Sequence, residues 1–335
     1  WNPGMESEKV SLFPPKPSYR MKPPRAFGGR DALGYKAYVT VGGRTTLGRT
    51  YLDEDGDLQV EPMEGGKNAP SGVMFHYYLG SEPSGDVKIT ILTKDGEEIR
   101  SFSSADEKKH NNTRLKTEPG LHRFVWDMRY PPGTELGFGV LSAYWGGGVE
   151  GPEAVPGTYQ VRLEVDGEVQ TQEFEIRKDP RIDATQEDLE AQFDLLMEIR
   201  NKLSDVHDIV LRSRSLREQV DGWVKRLEET GNPELSAEAA RVSEKLSAAE
   251  GNLVEARTKG YADSFNYPPK VNSKLASMQG SVSFGDTRPP EQQYEVFKHL
   301  SALADRHMAT LQSVLDDDLA ALNQKIIDAK VPAIG

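Results

Sequence analysis

The chain has 335 residues, 53 acidic against 41 basic side chains, a formal net charge of −12, 36% hydrophobic content and no cysteine. That charge is repelled by nucleic acid and by anionic lipid, which sets both aside as partners. The missing thiols exclude disulfides, thiolate metal sites and cysteine nucleophiles, and no apolar run approaches the roughly 18 residues of a membrane span.

The length predicts two or three domains with sizeable cores. The chain opens at Trp1 with neither a basic n-region nor an apolar h-region, so the expectation is a fragment, or a processed chain with an upstream part. Residues 1–69 are rich in Pro, Gly and Arg. The run SLFPPKPSYRMKPPRAFGG cannot sustain a helix, because each proline removes a donor and restricts the residue before it. The expectation is an extended connector lying on another domain's surface. Within it, KAYVTVGG and LGRTYLDEDGDLQVEP predict a hairpin about Asp55-Gly56.

Residues 70–182 read as short strands. GVMFHYYL is aromatic-rich. In DVKITILTKDGEEIRSF, Val87, Ile89 and Ile91 share a face, and an Asp95-Gly96 turn leads to a return strand with Ile99. GLHRFVWDMRY gives a further strand. PGTYQVRLEVDGEVQTQEFEIRKDP gives a second hairpin, with Tyr159, Val161, Leu163 and Val165 on one face and an Asp166-Gly167 turn. Short strands punctuated by turn signals predict an immunoglobulin- or fibronectin III-like β-sandwich.

At Asp183 the apolar period changes from two to 3.6, and Thr185 with Asp188 forms a capping-box pattern. The stripe Leu189, Phe193, Leu196, Leu203, Val206, Val210, Val220, Val224 and Leu227 predicts a helix over 185–229, roughly 65 Å long at 1.5 Å per residue. Asn232 and Pro233 suit the cap and first position of a second helix over 233–258. A Pro-rich return holds a short amphipathic piece with Val271, Leu275 and Met278. A last helix over 290–328 carries Tyr294, Phe297, Leu300, Met308, Leu311, Leu315, Leu322 and Ile326. Residues 183–335 are therefore expected as an all-α antiparallel bundle of long helices, up-down-up, giving a multi-domain α+β chain.

LFPPKPSYR, NAPSGVMFHYYL, GLHRFVWDMRY, WGGGVEGPEAVPGTYQVRL, YPPKVNSKLASMQG and YEVFKHLSALADRHMATLQSVL…LNQKI together resemble the C-terminal region of large exported bacterial proteins. These carry sortilin-type or BNR-repeat β-propellers and are often labelled glycosyl hydrolases. The blocks follow one another over nearly the whole chain. The resemblance implies a periplasmic, cell-surface or secreted bacterial protein whose propeller precedes residue 1 and holds any catalytic groups, so no catalytic residue is carried over. Asp95-Gly96, Gly120, Trp126-Asp127 and Pro156-Gly157-Thr158-Tyr159 are also similar to the immunoglobulin-like domain of flagellar hook-capping proteins, a likeness that bears on fold alone.

Chemistry within the chain itself is sparse. The six histidines form no H-E-x-x-H, and no Glu-x-x-His falls on a predicted helix. His299 and His307, eight residues apart, share a helix face and are read as partly exposed helix residues. Asp53, Asp55 and Asp57 alternate as calcium ligands would, but the glycine falls too early for an EF-hand loop and no closing glutamate follows, so an acidic turn is the expected reading. Asp316 to Asp318 read as a solvated helix face. WGGGVEG lacks both the P-loop Lys-Ser/Thr and the dinucleotide spacing. It is read as a loop, and as a candidate aromatic platform, Tyr144 and Trp145, for a sugar or a protein. Trp126 is expected in the core, with Asp127 capping or bridging a turn and Arg129 its partner, simply exposed, or a binding residue.

The expected function is that of a non-catalytic accessory and interaction region. It docks on its own upstream β-propeller or on a separate subunit, with long helices presented for assembly and no cofactor. The alternatives are part of a glycoside hydrolase with a sialidase-like propeller upstream, and a carbohydrate-binding module.

Overall fold

The computed structural model describes residues 9–21, 26–27, 36–41, 44–52, 58–62, 71–106, 115–137, 148–257 and 266–331. The chain divides into two compact units: a β unit, Trp1–Tyr130 with Glu153–Asp183, and a helical unit, Pro131–Pro152 with Ala184–Gly335. An N-terminal β region thus precedes long helices, and a segment from the middle of the β region belongs with the helices.

In the β unit, β1 (Val10–Leu12), β7 (Val73–Leu79) and β10 (Gly120–Trp126) form one sheet in the order β1-β7-β10. A second sheet has the order β2-β12-β11-β8-β9, from β2 (Ser18–Arg20), β8 (Lys88–Thr93), β9 (Glu98–Ser103), β11 (Gly157–Val165) and β12 (Glu168–Lys178). Alternation decides which side of each strand is buried. Val73, Phe75, Tyr77 and Leu79 of β7 and Tyr159, Val161, Leu163 and Val165 of β11 are all buried, in one core with Ile89, Ile91, Trp126 and Phe174. Phe174 of one sheet meets Phe75 of the other edge-on, with ring centroids 5.1 Å apart, and Trp126 at 6.1 Å. Each such ring, taken out of water, contributes about 1.5–3 kcal/mol.

The β11–β12 hairpin turns in two residues, Asp166 at φ 48° and Gly167 at φ 86°, between the paired Val165 and Glu168. Positive φ at both positions is what the twist of a tight hairpin requires, and Asp-Gly meets it at low cost. The Asp166 carboxylate accepts from the backbone N–H groups of Ser84 and Gly85 and from the Ser84 hydroxyl, which holds it below the usual aspartate range.

A third sheet, β3-β4-β5-β6, is formed by Ala26–Phe27, Lys36–Val41, Arg44–Leu52 and Leu58–Pro62. Its β5–β6 pairing runs to Leu52 opposite Leu58, so the strands flank Asp55-Gly56 as expected; the turn itself lies outside the described residues.

The expected connector over 1–69 needs correction. β1 pairs antiparallel with β7 and β2 pairs parallel with β12, so residues 10–20 complete both sheets. Pro14, Pro15 and Pro17 prevent one continuous strand, and the chain crosses from one sheet to the other between them. Side-chain amides bridge the crossing: Gln170 donates to the Val10 carbonyl and accepts from Leu12 N–H, and Gln172 donates to the Leu12 carbonyl.

In the helical unit, α1 spans Gln186–Glu229, 44 residues, behind a complete Thr185/Asp188 capping box. α2 (Pro233–Leu253) has its proline at N1, while Asn232 makes no side-chain cap bond. It stops five residues short of the expected 258. Val254 is buried in extended conformation, and Glu255 pairs with Arg257, two residues on, a spacing a helix places on opposite faces. α3 (Val271–Val282) and α4 (Glu291–Ser313) follow. α4 passes through a π-helical turn, Val314–Asp318, into α5 (Leu319–Asp328), where one continuous helix was expected.

Polar pairs fix the helix directions. Val224 with Ser236, Asp221 with Ser243, and Arg214 with Glu250 set α1 and α2 antiparallel. Asp188 with Arg288, Ala191 with Tyr294, and Lys202 with Asp305 set α1 and α4 parallel. Lys245 with Asp318 and Glu238 with Lys325 set α2 antiparallel to the last segment. The core between them is aliphatic, running from Leu195 to Leu227 on α1 and to Ile326 on α5.

Candidate functional site

The β unit loses its chain at Tyr130 and regains it at Glu153. Residues 131–152 were expected within the sandwich. They belong instead with the helices because Leu136 and Val149 are part of the helical core. Arg129 and Glu153 form an isolated antiparallel bridge where the chain leaves and returns. The Arg129 guanidinium donates to Glu153 Oε1 at 3.1 Å, and the buried Arg20 lies 3.5 Å from Glu153 Oε2. Trp126, fully buried, donates its indole N–H to the Arg129 carbonyl at 3.1 Å. Asp127 accepts from Arg129 N–H, which is the expected turn cap, while its ion partner is Arg100 at 3.6 Å. Arg129, a candidate binding residue in the sequence, is thus a clasp at the neck of the excursion.

The excursion itself lies on α1. Gly133 N–H donates to the Val149 carbonyl at 2.6 Å, joining its outgoing and returning limbs. A Cβ at Gly133 would sit 2.9 Å from Ser204 Oγ and 3.4 Å from the Arg200 carbonyl, so glycine permits this approach. Ser204 Oγ accepts from Thr134 N–H and donates to the Arg200 carbonyl. His207 Nδ1 lies 2.6 Å from the Thr134 carbonyl; a carbonyl only accepts, so Nδ1 carries the proton. On the returning limb, Gln279 of α3 donates to the Glu150 carbonyl. His207 is fully buried and its Nε2 has no hydrogen-bond partner among the described residues. Burial pushes this imidazole below its ordinary range, the Thr134 contact and Asp208 pulling the other way. Arg200, two turns before His207 on the same face of α1, has a buried Nε with no hydrogen-bond partner among the described residues, and burial works against its charge.

Deeper in the bundle, Glu250 of α2 is buried and takes Arg214 at 2.8 Å and Arg217 at 3.5 Å, both from α1. Neither His207 nor Glu250 follows from spacing, since each reads as one more polar residue on a helix. The available signal was their position between core residues: His207 follows Val206, and Glu250 follows Ala249, both buried.

The remaining candidates do not converge. Tyr144, Trp145, Asp53, Asp55 and Asp57 lie outside the described residues. His299 is exposed and His307 half-buried, with burial and Arg306 lowering the His307 pKa. Among the described residues no three His, Cys, Asp or Glu side chains are grouped to hold a metal ion. Asp316 and Asp317 engage Gln312 and Ser313 on their own helix. Trp223 packs partly buried against the helical core, with the Arg226 guanidinium 5.5 Å from its ring centroid. Among the described residues no helix is long and apolar enough to cross a membrane.

The chain matches no family model and no curated protein. Among solved structures it is similar to pT26-6p at 10% identity, over 73% of this chain and 46% of that one, with a TM-score of 0.15. A TM-score that low carries no argument about fold or function.

Proposed function

We propose that this chain is a non-catalytic accessory and interaction region of a larger exported bacterial β-propeller protein, with an immunoglobulin-like β-sandwich followed by an assembly bundle. The observation that carries the reading is where the polar side chains go. In the helical unit, Lys202–Asp305, Arg214–Glu250, Lys245–Asp318 and Lys325–Glu238 each join two helices. In the β unit, Arg20 and Arg129 close on Glu153. These groups brace elements against one another, as a scaffold requires, instead of converging on a shared open position.

Strand order supports the immunoglobulin-like reading. In the lettering of that fold, β1, β7 and β10 correspond to A, B and E, and β2, β12, β11, β8 and β9 to A′, G, F, C and C′. The parallel β2–β12 pair is the switched A′ strand beside G. Tyr159, near the start of β11, donates its hydroxyl to the Val155 carbonyl four residues upstream at 2.7 Å, which corresponds to the tyrosine corner. Trp126 departs from the antibody pattern, since it lies on the E-type strand rather than C.

The test combines the intact mass and N-terminal sequence of the native polypeptide with a binding assay. The expected native mass is well above the 37.2 kDa of this chain, with propeller blades upstream that bind the isolated chain. A native protein that ends at this chain's mass, or turnover of fluorogenic glycosides by the isolated chain, overturns the proposal.

A further inference from the structure

The geometry points to an acid-released strap: residues 131–137 are held on α1 through His207 and Ser204, and protonation of His207 lets the strap go while the bundle beneath stays folded.

The strap has few holds. Its apolar anchor is Leu136, joined by Val149 on the returning limb. Its two polar contacts with α1 both involve Thr134, whose N–H goes to Ser204 Oγ at 3.1 Å and whose carbonyl takes the His207 Nδ1 proton at 2.6 Å. In the neutral ring Nε2 is a lone pair, and leaving it without a donor is a modest cost. In the charged ring the same atom is an N–H in a fully buried position with no acceptor among the described residues. A buried charge with an unsatisfied donor is among the most expensive arrangements available to an interior. The least disruptive relief is for the covering segment to lift and admit water, because α1 on the other side is braced to α2 and α4.

The charged surroundings do not offset this cost. On α1, Asp208 favours the charged ring, while burial and Arg214 oppose it. Arg214 is itself engaged with the buried Glu250 of α2. Arg200, one turn beyond Ser204 on the same helix, adds no negative charge. On the strap the ionisable group is Glu135, which is exposed, and on the returning limb it is Glu150, also exposed.

The sign is fixed by the direction of the shift. A folded-state value below the ordinary histidine value means the closed strap binds fewer protons than the open one. Closure is therefore complete above the ordinary value and weakens as pH falls through and below it. Each pKa unit of depression allows up to about a tenfold gain in the open fraction.

Hydrogen–deuterium exchange on the whole chain tests this, with rates corrected for intrinsic pH dependence, between about pH 7.5 and about pH 5. Peptides over 131–137 are expected to lose protection by about tenfold or more on acidification, with α1, α2 and α4 peptides unchanged. In His207→Asn, whose amide keeps a donor near the Nδ1 position but does not titrate, strap protection is expected to be flat with pH. Strap protection that does not vary with pH in the wild type, or the same loss in His207→Asn, overturns the proposal. Should that variant misfold, an NMR titration of wild-type His207 decides instead. A ring that titrates below the ordinary value together with the Gly133 and Thr134 amides supports the strap. A ring at or above that value, or amides that do not follow it, ends the idea.

Discussion

The β unit and the helical unit bury comparable cores with different materials. The β core sets aromatic rings among its aliphatic side chains: Phe75, Tyr77, Phe102, Phe124, Trp126, Tyr159 and Phe174 are all buried in it. The fully buried side chains of the helical core are aliphatic, and polar residues interrupt them at Gln192, His207, Ser213, Glu250, Asn272 and Gln279. Interlocking rings specify one sheet-on-sheet packing through shape. Leu and Val stripes on long helices can slide by a turn and still bury well, so a buried polar partner fixes the register. Among the described residues the β unit buries fewer polar side chains, including Arg20, Thr90 and Ser104; where shape does not specify the arrangement, hydrogen bonds take over.

Substitutions can break or sharpen that contrast. The largest loss is expected from Trp126→Ala, about 3–5 kcal/mol by urea denaturation, because it removes a ring that contacts both Tyr159 and Phe174 and the bond to the Arg129 carbonyl. Its hydrogen-exchange signature should stay within the β unit. If helical amides lose protection equally, the two cores are not separable in the way their composition implies. Glu250→Ala should cost less, about 2 kcal/mol, since Arg214 and Arg217 keep partial contact with water after losing their anion. A double replacement of Glu250 and Arg214 by apolar residues should recover part of the loss while loosening α1–α2 register, which crosslinking at positions 221 and 243 would read. No recovery would mean that the pair contributes more than register. The smallest effect is expected at the start of α1: Thr185→Ala should cost about 1 kcal/mol. Asp188, held at about 2 by its bonds to Thr185 and Arg288, should make that end of the helix lose stability as pH falls from the ordinary aspartate value towards about 2. The folded carboxylate there binds fewer protons than the unfolded one. Asp188→Asn should abolish this acid dependence.

What the sequence made legible follows the same contrast. Asp166-Gly167 and the apolar alternation around it marked a hairpin because a two-residue turn and a period of two are local signals. Thr185 and Asp188 marked the helix start for the same reason. The residues that were missed act through distant partners. Residues 10–20 looked like a connector because their strand partners lie more than sixty positions away in β7 and β12. Residues 131–152 looked like part of the β region because their ties to the helices among the described residues, Leu136 and Val149 in the core and the bonds of Thr134 and Glu150, all reach partners more than sixty positions away or leave no local pattern. His207 and Glu250 carry no local mark of burial beyond the buried residue each follows, Val206 and Ala249. Arg129 was singled out for its place beside Trp126, but its role depends on Glu153, across the whole excursion.

That excursion has a consequence for synthesis. Thr134 leaves the ribosome well before His207, and every strand of the β unit, through Lys178, is made before α1 begins at Gln186. The β10 and β11 strands must therefore be able to find their sheets while the segment joining them has nowhere to dock. The neck formed by Arg20, Arg129 and Glu153 uses residues that are all present by then, so it can close the loop on its own. The nascent chain would pass through a stage with a finished β unit and an idle strap, and α1 would receive that strap as a ready-made ligand.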